Sequence, residues 1–142
     1  MNDSALSGVS VLDLSDGVLS AYCTKLLADM GADVTKVERP LVGDATRRIG
    51  PFLNDVPDLE TSAPFLYLNT GKKSVTLNLA DETGGSILRE LVGRTDILVE
   101  CFKPGVLADL GYDYASLEDV NPRLIMASVS YFGQTGAYRD FE

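Results

Sequence analysis

Val9-Ser10-Val11-Leu12-Asp13-Leu14 turns through Ser15-Asp16-Gly17 into a stretch from Val18 to Met30. Gly31 follows, and then Asp33-Val34-Thr35-Lys36-Val37-Glu38-Arg39-Pro40. Val9, Val11, Leu12 and Leu14 make a near-continuous apolar run, the pattern of a strand buried on both faces. The period then changes. Val18, Tyr22, Leu26 and Met30 recur every four residues, with Leu19, Cys23 and Leu27 beside them. That spacing predicts a helix whose broad apolar stripe, Cys23 included, faces the core. Gly31 suits a left-handed end to that helix, and Asp33–Glu38 follows at once as a second strand. The result is a tight βαβ unit, with a right-handed crossover expected.

The rhythm repeats outward from this unit. Val75–Leu79 ends at Ala80-Asp81, and Asp96–Glu100 ends at Cys101-Phe102-Lys103-Pro104. Leu124–Ser128 runs toward Gly133-Gln134-Thr135-Gly136. Helical patterns lie between most of these strands. Asp81 can cap a helix carrying Ile87, Leu88, Leu91 and Val92. Pro104 suits the first turn of a short helix closed by Gly111. Ser116–Val120 is a second short helix, stopped by Asn121-Pro122. This order predicts an α/β fold: a Rossmann-like, doubly wound parallel sheet flanked by helices. Alternation over Lys73–Leu79 gives that strand one wetter face and places it nearer the sheet edge. Residues 39–63 break the rhythm with Pro40, Gly43, Gly50, Pro51 and Pro57, a long irregular excursion of the kind that is functional or flexible. A short helical or extended piece around Phe65–Leu68 leads to a turn at Asn69-Thr70-Gly71.

The totals narrow the function. A chain of 142 residues is one domain. With 45% hydrophobic and 23% charged residues it matches an ordinary globular protein. No apolar run approaches the roughly 20 residues that span a bilayer, and the first residues do not read as a signal peptide, so a cytoplasmic location is expected. Two cysteines, Cys23 and Cys101, read as reduced thiols. The absence of histidine removes the commonest general base, Ser-His-Asp catalysis and most zinc sites; no metal site is expected. A net charge of −9 argues against nucleic acid or an anionic membrane as partner. An anionic small molecule then requires cations gathered locally.

Open parallel sheets bind ligands at the carboxyl ends of their strands. Arg39 lies directly after a strand on that edge, with Pro40 fixing the exit, and its planar fork of donors suits phosphate; as a surface residue it would instead pair with Glu38 or Asp44. Lys103 has the same position after the fourth strand. Arg47 and Arg48 lie deeper in the long loop, and Asp44 is a candidate partner for one of them. Lys72 and Lys73 precede their strand, so they are expected on the opposite edge as solvated charges. Asp13, Asp16 and Asp44 are candidate acids or bases, but each also reads as a cap or turn former. Gly133-Gln134-Thr135-Gly136 could bring backbone N–H groups to a phosphate or acyl group, or be a plain turn. No G-x-G-x-x-G stands at the first corner, which counts against a dehydrogenase.

Together these corners resemble the start of the family III CoA-transferases, the group of formyl-CoA transferase, carnitine CoA-transferase and 2-methylacyl-CoA racemase. The resemblance is carried in order by Gly8–Leu14, Leu26–Pro40, Gly43–Arg47, Asn69–Leu79, Glu100–Leu107, Asn121–Ile125 and Phe132–Gly136. It implies coenzyme A, free or as acyl-CoA, as the ligand, bound along the carboxyl edge. The family's contacts carry over to Val18 and Leu19, to Arg39 at a phosphate, to Leu77, Asn78, Leu79 and Ala80 flanking the adenine end, and to Cys101, Phe102 and Lys103. Departures from the family pattern stand at Val18, Cys101, Asp109 and Tyr131. An aspartate facing phosphates would repel them, so Asp109 is expected to stay clear of CoA.

The resemblance further implies that residues 1–142 are a single N-terminal CoA-binding α/β domain, part of a larger family fold. In the family a carboxylate beyond the Gly-Gln-Thr-Gly loop attacks an acyl-CoA, passing through an anhydride to an aspartyl-CoA thioester. Asp140 does not match that carboxylate, and the smaller second domain is also unmatched, so this stretch alone is expected to catalyse nothing. These blocks do not separate transferase from racemase. Two further readings stand beside them: a non-catalytic module that pairs with itself or with a full-length subunit, and an unrelated flavodoxin-like domain.

Overall fold

The computed structural model describes residues 4–141. Five strands form one sheet: β1 (Ser10–Leu14), β2 (Asp33–Glu38), β3 (Lys73–Thr76), β4 (Ile97–Glu100) and β5 (Ile125–Ser128). Their order is β3-β2-β1-β4-β5, and every neighbouring pair is parallel. The chain therefore winds outward from β1 to the β3 edge, then returns to lay β4 on the other side of β1. Such a reversal opens a crevice beyond the carboxyl ends of the central strands. Among the described residues five α-helices complete the fold: α1 (Val18–Asp29), α2 (Ala63–Asn69), α3 (Glu82–Val92), α4 (Val106–Asp109) and α5 (Tyr114–Glu118). None of the helices among the described residues is long and apolar enough to cross a membrane.

β3 is an edge strand, as its alternation implies, but it runs earlier than Val75–Leu79. The Leu77 N–H still donates to the Glu38 carbonyl at 3.1 Å. The chain then turns, and the Asp81 side chain caps α3 by accepting from the Gly84 N–H. Gly31, with φ 99°, ends α1 as expected.

Successive strand residues face opposite ways. Leu12, Leu14, Val37 and Leu98 pack with Leu88 and Val92 of α3, an apolar cluster on a face that also carries Thr35 and, beside Leu14, the buried Glu100. The other face begins apolar, with Val11, Val34 and Val99 against Leu27 and Ala28 of α1. Toward the carboxyl ends it turns ionic. Register sets Asp13 beside Lys36, and Glu38 lies two residues further along the same face. All three are buried.

A lattice of paired charges fills this region. Lys36 Nζ meets Asp44 Oδ2 at 2.8 Å and Asp13 Oδ2 at 4.0 Å, and donates to the Ser15 carbonyl and hydroxyl. Lys72 Nζ contacts Asp13 Oδ2 at 3.0 Å and donates to Thr24 Oγ1, Asn69 Oδ1 and the Ala21 carbonyl. Thr24 Oγ1 in turn donates to Asp13 at 2.6 Å. Glu38 takes two bonds from Arg47, one from the Ser74 hydroxyl and one from the Asp44 N–H. Burial opposes ionisation of Glu38, but these donors outweigh it and lower its pKa from 4.5 to about 2. Burial likewise pushes Lys72 down, with Asp13 acting against it.

The lattice corrects two expectations. Lys72 is not a solvated charge: it precedes β3, but its long side chain crosses under α1 to Asp13. Lys73 is solvated, pairing with Asp33 at 2.7 Å. The inward face of α1 is also not its apolar stripe, although Leu27 of that stripe packs on the sheet. Ser20, Ala21, Thr24 and Lys25 are the buried residues, whereas Val18, Leu19, Tyr22, Leu26 and Met30 are exposed and Cys23 is half-buried. Charges at Asp13 and Lys72 need a hydroxyl and a carbonyl close by, and only small polar residues supply them at that distance.

Removing one member of a buried pair strands the other. Lys72→Met is expected to lower unfolding free energy by about 3 kcal/mol in urea at pH 7, while Lys73→Met changes it by less than about 0.5 kcal/mol. Glu38 makes the fold acid-sensitive. Its depressed pKa gives a stabilisation that is full above pH 4.5 and lost as pH falls through about 2. That stabilisation is about 3 kcal/mol, with about 2 kcal/mol gone by pH 3. Unfolding of Glu38→Gln at pH 6 and pH 3 checks this: the variant starts less stable and loses less on acidification.

Candidate functional site

Every strand of the sheet ends at the same rim, and two adjoining cavities open there. The first, of about 210 Å³, is lined by residues following β1, β2 and β3, with Phe102 beyond β4. Its walls are largely apolar, with Leu14, Val37, Leu77, Leu79, Phe102 and Leu110. The second, of about 310 Å³, lies at the crevice where the strand order reverses. It takes residues 16–20 after β1, 101–104 after β4 and 129–132 after β5.

The candidate residues divide between these hollows. Arg39, Leu77, Asn78, Leu79 and Ala80 line the first; Val18, Leu19, Cys101 and Lys103 line the second; Phe102 belongs to both. Arg39 and Lys103 thus share one rim, as their positions after parallel strands require. Asp109 is exposed on α4 and lines neither cavity. Gln134 borders a third hollow, of about 240 Å³, with Glu100 and Lys103.

The cations differ in how they are engaged. Arg47 is held by Glu38 and by Glu60 at 2.8 Å, and its guanidinium lies 3.7 Å over the Phe65 ring. Arg48 donates to the Val42 carbonyl. Neither pairs with Asp44, which belongs to Lys36. Arg39 pairs through a single nitrogen with Asp16, and its side chain stays 68% exposed. A largely apolar hollow with such a guanidinium beside it suits a ligand with a flat apolar body and an anionic group.

The long excursion after β2 is tied to the first corner. Asp44 caps a single turn at Ala45–Arg48 through the Thr46 N–H and also accepts from the Gly17 N–H at 3.3 Å. Lys36, reinforced by the Thr46 donors, overcomes burial to hold the Asp44 carboxyl below its usual range. Ser62 Oγ donates to the Thr46 and Ile49 carbonyls, closing the loop on α2. Asp13 and Asp44 are therefore structural, as turn and cap formers. Asp16 does more: Oδ1 accepts from the Ala45 N–H while Oδ2 takes Arg39. Its backbone N–H donates to Cys101 Sγ at 3.1 Å, joining the corners after β1 and β4.

Sequence reasoning missed the support behind Leu77–Ala80. Tyr112, buried, donates its hydroxyl to the Leu79 carbonyl at 2.9 Å. Gly84 lets α3 press on the same turn, since a Cβ there would stand 1.9 Å from the Asn78 oxygen. The one legible signal was a helix opening with two glycines, Gly84-Gly85, against the usual preference for neither.

Comparison with known proteins finds relatives over nearly the whole chain. An acetyl-CoA:oxalate CoA-transferase of Acetobacter aceti is 44% identical over 129 residues, 91% of this chain and 32% of that protein. A formyl-CoA:oxalate CoA-transferase of Bradyrhizobium diazoefficiens is 44% identical over 136 residues, 96% of this chain and 31% of its own. The crystal structure of a CAIB/BAIF family protein from Brucella suis superposes with a TM-score of 0.89 at 39% identity, over 97% of this chain and 36% of that one. The chain thus spans about a third of the length of the curated relatives it matches. The family described as CoA-transferase family III matches residues 6–142, and the chain belongs to it.

Proposed function

We propose that these residues are the CoA-binding N-terminal α/β domain of an acyl-CoA:carboxylate CoA-transferase. The supporting observation is convergence. Val18 and Leu19, Arg39, Leu77–Ala80 and Cys101–Lys103 come from four separate corners, yet they surround two cavities with a common wall. The names of the relatives share CoA as the group transferred. In this reading Arg39 meets a CoA phosphate, the hollow beside Leu77–Ala80 takes the adenine end, and the crevice beside Val18 and Cys101 leads toward the thiol.

The domain's part in the reaction is binding and orientation. In a complete transferase, chain outside residues 1–142 supplies the aspartate whose oxygen attacks the acyl-CoA carbonyl. The CoA thiolate that leaves then attacks the resulting anhydride at the aspartyl carbonyl, giving the aspartyl-CoA thioester and the free acid. Holding the carrier on a rigid rim through this exchange keeps the thiolate close to the anhydride.

Calorimetric titration of CoA into the 142-residue protein tests the reading. Saturable binding is expected, weakened roughly tenfold or more in Arg39→Ala and unchanged in Lys73→Ala. Absence of binding by wild type and variant alike would instead favour a non-catalytic dimerisation module.

A further inference from the structure

Four ionisable side chains line the first cavity: Asp16, Glu38, Arg39 and Asp44. Two of the carboxylates are neutralised from behind. Glu38 is gripped by Arg47, and Asp44 by Lys36, and both lie almost wholly inside the fold. Asp16 is different. Its side chain is 30% exposed, it stands in the wall common to both cavities, and the cation it pairs with is Arg39. Arg39 is also the residue placed at the phosphate in the function proposed above.

We infer that Asp16 is an affinity-setting residue of the anion site: it competes with the ligand phosphate for Arg39, so phosphate binding requires that pair to loosen. The inference rests on the CoA-site reading. Arg39 has an exposed fork of donors and only one of its nitrogens is committed to Asp16. A phosphate drawing the guanidinium toward itself leaves Asp16 with its bond from the Ala45 N–H and with solvent. Asp16 thus acts as a built-in counter-ion that keeps Arg39 ordered in the empty site and moderates its grip on CoA.

Exposed ion pairs are weak, so the expected effect is moderate. Asp16→Asn keeps an oxygen for the Ala45 N–H and removes the charge. It is expected to bind CoA roughly fivefold tighter than wild type at low salt, the gap narrowing as salt is raised. In an Arg39→Ala background the same change should alter affinity by less than about twofold, because the competition has no object. Asp16→Ser repeats the test should the asparagine variant fold poorly, and thermal melting verifies each fold. Equal or weaker CoA binding by Asp16→Asn, with Arg39→Ala still weakened, would overturn the inference and leave the CoA site standing. So would an undiminished gain in the Arg39→Ala background. No saturable CoA binding by wild type or Asp16→Asn would overturn both.

Discussion

Lys36 sits at the centre of this protein with no access to water, its ammonium between the carboxylates of Asp44 and Asp13. A buried cation is tolerated only with its partners in place, and those partners come from distant parts of the chain. Asp13 belongs to β1, Asp44 to the excursion after β2, and Lys72, which completes Asp13, to the approach to β3. Meeting this one requirement folds the loop down over the strand ends, brings Asp44 to the Gly17 N–H and sets Glu38 where Arg47 closes on it. The candidate site is built on those same strand ends. Its geometry follows from satisfying charges buried within the fold.

The same lattice separates basic residues that look alike in composition. Lys36, Lys72 and Arg47 are committed to carboxylates inside the fold. Arg39 is turned outward and tied by one nitrogen to Asp16. A chain with a strong negative balance can still attract an anion because the field that matters is local, and two of the three carboxylates lining the first cavity are neutralised by buried cations, Asp44 by Lys36 and Glu38 by Arg47.

The succession of strands along the chain and the position of the corners were legible because they rest on period and on glycine and proline, which report backbone conformation directly. Gly31 and Asp81 did what such residues do at helix ends. The facing of α1 was not legible. Its apolar stripe is genuine, but apolarity predicts the buried side only where the facing sheet is apolar, and here the sheet presents Asp13. Thr24 and Ala21 carry no mark of inwardness in one dimension. Lys72 misled for a related reason: strand polarity places an α-carbon on a rim, while four methylenes carry the ammonium several ångströms away. The partnership of Asp16 with Arg39 joins residues 23 apart in sequence and could be suspected only once both corners shared a rim. The family resemblance supplied what spacing could not, the expectation of CoA as the carrier.

Behind the turn at Leu77–Ala80 stand two residues that line neither cavity, Tyr112 with its hydroxyl on the Leu79 carbonyl and Gly84 against the Asn78 oxygen. They form a buttress. The lip of the hollow has no rigidity of its own, being neither strand nor helix, and borrows its shape from α3 and from the segment after α4. Evolution could therefore retune the hollow from the rear, widening or tilting it by changes at the buttress while leaving every residue that lines it chemically the same.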